Sequence, residues 1–268
     1  MKKQKGAYIV LVIATLSLFT ILPAMLMTAG GKLIFEKNTF FMKLLISQSY
    51  ILELIAFCII TLIIIGIYRI AFRREDICEN KSLFSFKGAI LMIITGLGVS
   101  GISYLWIKIA HLIPFLLKSL EEMNAANERM ANGSALGIFL LAAIIAPLLE
   151  EVVFRGIVLR SIEKLRGTAA ALISSSIIFG IFHGNLVQFV YTFIMGIIAG
   201  YVYIKTRNIL FPVFIHFGNN AYASIPDLIH SESTLMLLDY FTVVMIFPTI
   251  FIIWKISKQT KTLLFTKE

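Results

Sequence analysis

The chain has 268 residues, of which 59% are hydrophobic, and a formal net charge of +9. Soluble domains are roughly 45–50% apolar, so a water-soluble fold of this length is excluded and an integral membrane protein is indicated. A basic balance can indicate a nucleic-acid partner. Here the basic residues gather at the ends of apolar runs, where they anchor membrane helices, and no nucleic-acid partner is predicted.

The apolar runs predict about eight transmembrane helices. The first, from Ala7 to Thr28, is longer than the roughly 7–15 apolar residues of a signal peptide, so we expect it to be retained. The fifth and seventh are shorter than the ~20 residues of a full crossing, which is typical of helices inside a bundle or beside a water-filled cavity. The predicted fold class is therefore an all-α polytopic transmembrane helical bundle with a polar intramembrane cavity. The seven later helices are predicted over residues 47–72, 88–114, 136–159, 169–182, 186–204, 209–225 and 235–254.

Basic residues predict the orientation in the cell membrane. With the N-terminus in the cytoplasm, the cytoplasmic segments hold 17 basic residues and the outer segments hold 6. This bias predicts that both termini are cytoplasmic. We divide the chain into N-terminal helices and loops (1–135), a core (136–254) and a basic cytoplasmic tail (255–268). The longest outer loop, between the third and fourth helices, is polar and predicted to be partly helical.

Three charges interrupt the fourth predicted helix, in the stretch PLLEEVVFRG from Pro147 to Gly156. A charged side chain at the centre of a membrane helix costs roughly 2.5–3.5 kcal/mol. Glu151 and Arg155 are four residues apart and can pair on one helix face. Glu150 lies about 100° around the helix and needs another partner. Pro147 removes a backbone donor and can kink the helix.

Two other predicted helices bring imidazoles to membrane depth. His183 ends the fifth helix, one turn after Phe179, and His216 lies in the seventh, with Asn220 on the same face. Each residue alone is compatible with a structural hydrogen bond between helices. The joint pattern of a free carboxylate, two imidazoles and an amide is harder to explain as packing and predicts a functional site.

Such a set of side chains can hydrolyse peptide bonds in three ways. A buried glutamate can take a proton from water. A carboxylate and two imidazoles can instead hold a metal such as zinc with an open position for water. Imidazole and amide groups can donate to a developing oxyanion. If a metal is bound, its ligands would be Glu150, His183 and His216. The sequence contains neither the GxSxG nor the HExxH signature of other hydrolases.

These residues resemble the three motifs of the CPBP intramembrane protease family, also called Abi or the CAAX prenyl protease 2 type. The motifs are Glu150-Glu151-x-x-x-Arg155, Phe179-x-x-x-His183 and His216-x-x-x-Asn220, and they occur in the family's order within about residues 136–224. The resemblance implies an all-helical membrane core with a polar cavity. By motif position, it implies that Glu150 activates the hydrolytic water, that His183 helps to hold it, that His216 and Asn220 stabilise the oxyanion, and that Glu151, Arg155 and Phe179 support the site. The family is commonly labelled metalloprotease, whereas a glutamate-dependent mechanism needs no metal, and both remain open here.

The resemblance also implies an intramembrane endopeptidase that acts on a membrane-associated peptide or protein, with membrane lipid as its other partner. Eukaryotic relatives remove the last three residues of prenylated CAAX proteins, and bacterial members are linked to bacteriocin immunity and peptide processing. One alternative is a non-catalytic membrane protein that binds a bacteriocin or its receptor. A second is a small transporter, which predicts internal repeats that the sequence does not show.

Overall fold

A computed structural model describes residues 2–35, 49–72, 86–131, 135–225 and 231–259. Throughout these ranges the regular structure is helical, which confirms the predicted all-α class. The longest helices follow the apolar runs of the sequence. In chain order the helices are α1 (Lys2–Phe35), α2 (Ser49–Phe72), α3 (Phe86–Ala110), α4 (Leu117–Ala131), α5 (residues 135–166), α6 (Thr168–Phe182), α7 (Leu186–Thr206), α8 (Leu210–Ala223), α9 (Glu232–Val244) and α10 (Ile246–Gln259).

Six helical segments within the described ranges are long and apolar enough to cross a membrane. They correspond to six of the eight predicted spans, and they confirm a multi-pass helical membrane protein. The predicted fifth and seventh spans are α6 and α8, with 15 and 14 residues. At 1.5 Å per residue each is about 22 Å long, against a hydrocarbon core of ~30 Å. Both short helices carry site residues.

Two prolines move the helix ends away from their predicted positions. Helix α3 ends at Ala110 because Ile113, the residue before Pro114, takes an extended conformation. The eighth predicted span is continuous in the sequence but breaks at Met245 into α9 and α10. The break follows from Pro248, which has no N–H to donate to the preceding turn.

Helix α5 alternates between α-helical and π-helical turns. Its α-helical pieces are Ala135–Phe139, Ala146–Glu151 and Arg160–Arg166, and its π-helical pieces are Leu140–Ile145 and Val152–Leu159. π-helical turns are rare and are frequent at functional sites. Both glutamates of the predicted site lie in the short α-helical piece between the two π-helical pieces, and Pro147 is the second residue of that piece.

Helices α3 and α8 approach each other almost backbone to backbone. A Cβ atom added to Gly96 would lie 2.1 Å from the Ile215 carbonyl oxygen, and one added to Gly218 would lie 2.6 Å from the Ile93 oxygen. Glycine permits this distance because it has no side chain. Helix α3 belongs to the segment before residue 135, so part of the predicted N-terminal region packs directly on a helix of the site. The predicted domain boundaries themselves stay predictions.

Helix α4 confirms that the polar loop between the third and fourth predicted helices is partly helical. Its apolar side chains Leu120 and Met123 are buried against Ala110 of α3 and Val187 of α7. The Ser119 carbonyl oxygen accepts a hydrogen bond from Nδ2 of Asn185 at 2.8 Å. Helix α4 therefore packs beside the turn that joins α6 to α7.

Candidate active site

A sharp turn places His183 at the end of α6. Gly184 has φ +67°, a left-handed conformation that glycine adopts without strain. The Asn185 side chain then caps α7 by accepting from the backbone N–H groups of Val187 and Gln188, at 3.0 and 3.1 Å. His183 itself is half-buried and donates through Nδ1 to the Phe179 carbonyl oxygen at 2.9 Å. In its neutral form the ring therefore keeps the lone pair on Nε2.

Glu151 accepts two hydrogen bonds on one buried oxygen. Arg155 Nη1 donates to Oε1 of Glu151 at 3.0 Å, and both side chains are at most 1% exposed. His216 Nδ1 lies 2.8 Å from the same oxygen. Since a carboxylate oxygen accepts, the proton of that bond is on Nδ1 of His216. The pairing expected from the i, i+4 spacing is present, and Glu151 also orients an imidazole on another helix.

His216 stands between the two glutamates. While its Nδ1 atom bonds to Glu151, its Nε2 atom lies 3.9 Å from Oε2 of Glu150. That distance is too long for a direct hydrogen bond. The separation is the one expected when both atoms form a hydrogen bond of about 2.8 Å to a single water between them. The buried Oε2 atom of Glu150 has no hydrogen-bond partner among the described residues, so it is open to such a water.

Phe179 packs at the centre of the site. Its ring is fully buried and lies 4.4 Å from the guanidinium carbon of Arg155. The rings of His183 and His216 meet it edge-on, with centroid distances of 4.8 and 5.8 Å. The cation–π contact stabilises the buried charge of Arg155. This gives the Phe179-x-x-x-His183 spacing a physical reason, because one aromatic ring supports three polar side chains.

Asn220 completes the hydrogen bonding of α5. Its Nδ2 atom donates to the Ala142 carbonyl oxygen at 2.8 Å. In the π-helical turn the Ala146 N–H bonds to the Leu141 oxygen five residues back. By the same five-residue spacing, the N–H that would bond to the Ala142 carbonyl oxygen belongs to residue 147. That residue is proline and has no N–H. Asn220 supplies the missing donor, so Pro147 and Asn220 are linked through one carbonyl group.

Two polar residues next to the site were not predicted from the sequence. Asn219 donates to Oδ1 of Asn220 at 3.0 Å, and Ser100 of α3 lies 3.2 Å from Oδ1 of Asn219. Asn219 could have been predicted, because it stands next to Asn220 in an apolar helix. Ser100 carried no signal, because a serine in a membrane helix can bond to its own backbone.

The described residues do not fit a metal site. No three His, Cys, Asp or Glu side chains among them are placed to hold one ion. The three predicted ligands Glu150, His183 and His216 thus do not form a common coordination sphere, and no reaction step is derived through a metal.

Charge balance joins Glu150 to His216. Uncompensated charge is costly in an apolar interior. Arg155 and Glu151 neutralise each other, which leaves Glu150 and His216. These two groups have no net charge when they share one proton in addition to the one on Nδ1 of His216. Glu150 and His216 thus face each other, at 3.9 Å, as titratable groups whose charge Arg155 does not balance.

Residues 132–222 match the family described as "Type II CAAX prenyl endopeptidase Rce1-like". The match contains every side chain of the predicted site. This segment of the chain is therefore similar to the CPBP family that its three motifs resemble. The chain is also similar to "Putative membrane peptidase YdiL" of Bacillus subtilis (strain 168), with 35% identity over 92 residues. That alignment covers 34% of this chain and 37% of the relative. No solved structure is significantly similar to the chain.

Proposed function

We propose that this protein is a CPBP-type intramembrane endopeptidase that hydrolyses a peptide bond with water activated by Glu150. The proposal is supported chiefly by the position of His216. One ring nitrogen is anchored on Glu151 at 2.8 Å and the other faces Glu150 across 3.9 Å. A carboxylate and an imidazole that share a water in a buried site are suited to general acid–base catalysis.

In the proposed reaction, Glu150 takes a proton from the water while the water oxygen forms a bond to the carbonyl carbon of the peptide. His216, protonated on both nitrogens, donates its Nε2–H to the carbonyl oxygen, which becomes the oxyanion. This starting state, with Glu150 ionised, makes the charged cluster neutral. The C–N bond then breaks, and the proton on Glu150 passes to the leaving amine. Glu150 is thereby returned to its carboxylate form.

The remaining motif residues have supporting roles in this proposal. The lone pair on Nε2 of His183 would accept the second hydrogen of the water. Asn220 has two hydrogens on Nδ2, one of which is directed to Ala142, and the other would donate to the oxyanion. Phe179 keeps both imidazoles in place, as its ring touches each of them.

The proposed substrate is a peptide or protein segment held at the membrane. The site is carried by helices in the apolar bundle, and two of these helices are too short for a full crossing. Both features favour a substrate that reaches the site at membrane depth. The matched family description names CAAX prenyl endopeptidases, so a prenylated C-terminal peptide is one candidate and a bacteriocin-type membrane peptide is another.

Cleavage by the reconstituted full chain tests the proposal. The probes are a farnesylated CAAX peptide and a leucine-rich transmembrane peptide, each with a quenched fluorophore, and mass spectrometry locates the cut. We expect Glu150→Gln and His216→Gln to lower the rate by about 10²–10⁴-fold, the usual contribution of acid–base groups. Glu121→Gln, on the exposed face of α4, is the matched control and should keep the rate. Wild-type rates in folded Glu150→Gln protein would refute the catalytic role.

We further propose that the protein lies in the cell membrane with both termini in the cytoplasm, as the distribution of basic residues indicates. A cysteine appended to either end, in protein lacking Cys58 and Cys78, would then resist a membrane-impermeant thiol reagent in intact cells. Labelling of either end before the cells are permeabilised would reverse the proposed orientation.

A further inference from the structure

A directed chain of three hydrogen bonds runs from α3 to α5 through α8. Ser100 Oγ donates to Oδ1 of Asn219 at 3.2 Å, and Nδ2 of Asn219 donates to Oδ1 of Asn220 at 3.0 Å. Nδ2 of Asn220 then donates to the Ala142 oxygen at 2.8 Å. Every bond points the same way. A reversed amide would place donor against donor or acceptor against acceptor, so the chain fixes which end of each amide faces which neighbour.

The close approach of α3 and α8 brings Ser100 within reach. Ser100 is only 4% exposed, and it lies one turn after Gly96, where the backbones of α3 and α8 nearly touch. The hydroxyl has one hydrogen and three acceptors nearby. Oδ1 of Asn219 is the nearest at 3.2 Å, against 3.3 Å for the Gly96 oxygen and 3.5 Å for the Asn219 oxygen. Ser100 thus contributes a donor from a second helix.

We propose that Ser100 and Asn219 are positioning residues that set the orientation of the Asn220 amide. In the observed orientation Asn220 presents Nδ2 to α5 and keeps a second N–H available as a donor. In the flipped orientation Oδ1 would stand where Nδ2 now stands, and it would repel a developing oxyanion. The catalytic consequence rests on the proposed peptidase function, whereas the orientation itself does not. Through Ser100, helix α3 becomes part of the site although it precedes the matched family segment.

Two variants and one matched control separate positioning from packing. Ser100→Ala removes the first donor. Asn219→Asp keeps size and shape but cannot donate to Oδ1 of Asn220. Ser103→Ala is the control, because Ser103 lies on the same helix and donates to the Val99 oxygen within α3 at 3.0 Å.

The first readout is the side-chain amide resonance of Asn220. It is recorded in detergent on protein labelled with ¹⁵N-asparagine, and it is assigned by its loss in Asn220→Asp. We expect the resonance to move in Ser100→Ala and in Asn219→Asp and to stay in place in Ser103→Ala. An unmoved resonance in folded Ser100→Ala overturns the proposal whether or not the protein cleaves any peptide. If Asn219→Asp does not fold, Ser100→Ala still decides.

The second readout is steady-state cleavage of the two probe peptides. We expect kcat to fall in both variants with little change in KM, by at least about tenfold and by less than the ~10²–10³-fold cost of losing an oxyanion donor outright. In an Asn220→Ala background the Ser100→Ala change should have no further effect, since residues that act through one another are not additive. Full additivity would overturn the proposal. If the wild-type protein cleaves neither probe but the Asn220 resonance moves in Ser100→Ala and Asn219→Asp, the proposed function is wrong and the positioning role stands.

Discussion

His216 donates its Nδ1–H to Oε1 of Glu151 at 2.8 Å, and this bond joins α8 to α5 inside the bundle. The same oxygen accepts from Arg155 at 3.0 Å. Glu151 therefore does two things at once. It neutralises a buried arginine, and it fixes which nitrogen of His216 faces Glu150, as the carboxylate of a catalytic triad fixes the tautomer of its histidine.

The two roles of Glu151 can be separated by mutation. Glu151→Gln leaves Arg155 buried without its counter-charge, and we expect a loss of about 3–5 kcal/mol in the free energy of unfolding together with loss of activity. Glu151→Leu combined with Arg155→Met replaces the pair by apolar side chains. Stability should then recover, because a buried ion pair is often no better than a well-packed apolar pair. Peptidase activity should stay lost, because His216 has no acceptor for Nδ1–H.

Unfolding in detergent, followed by circular dichroism, and cleavage of the probe peptides measure the two effects separately. A double variant that is both stable and fully active would show that Glu151 only supports Arg155 and has no part in orienting His216.

The sequence was sufficient for the features that depend on helical spacing. Glu151 and Arg155 pair as their i, i+4 separation requires. The apolar runs predicted the full-length spans, and the two short runs predicted α6 and α8. The partner of Glu150 could not be predicted in this way. Which face of α8 meets α5 is decided by packing between helices, and the motifs assign His216 to the oxyanion without stating that it lies beside Glu150.

Other features depend on contacts that leave no periodic signal in the sequence. The GLGVSG stretch that ends at Gly101 looks like any small-residue part of a membrane helix, and the role of Ser100 in it is visible only once Gly96 is seen against Ile215. The π-helical turns of α5 are similar. They depend on Pro147 together with an outside donor, Asn220, which lies on a different helix.

The helix contact at Gly96 should be essential. A Cβ atom there would lie 2.1 Å from the Ile215 oxygen, so Gly96→Ala must push α3 away from α8. We expect the free energy of unfolding to fall by about 1–3 kcal/mol or more, as for other overpacked cores, and activity to fall with it. Gly66→Ala is the matched control, since nothing lies within 4 Å of its added Cβ. Alanine is the better helix former by about 1 kcal/mol, so that variant should be as stable as wild type or more so.

Thermal unfolding of the two glycine variants side by side tests this contact. Equal stability of Gly96→Ala and Gly66→Ala would mean that α3 and α8 do not approach as closely as observed.

Chelators should leave peptidase activity unchanged. No three potential ligands among the described residues converge on one point, and the proposed chemistry uses Glu150 and His216 directly. Protein dialysed against EDTA or 1,10-phenanthroline should keep its rate on the probe peptides, added zinc should not raise it, and metal analysis should find less than one equivalent per chain. Activity that is lost on chelation and restored by zinc would contradict the metal-free mechanism.

Replacing Pro147 by alanine should separate stability from activity. The new N–H at residue 147 can donate to the Ala142 carbonyl, which now accepts from Asn220. A proline inside a helix costs about 3 kcal/mol relative to alanine, so the unfolding midpoint should stay the same or rise. Activity should fall, because Asn220 loses the acceptor that holds its amide. Pro114→Ala, at the start of the turn before α4, is the control and should keep the wild-type rate. A Pro147→Ala protein with wild-type activity and an unmoved Asn220 resonance would show that the Ala142 carbonyl does not hold the asparagine.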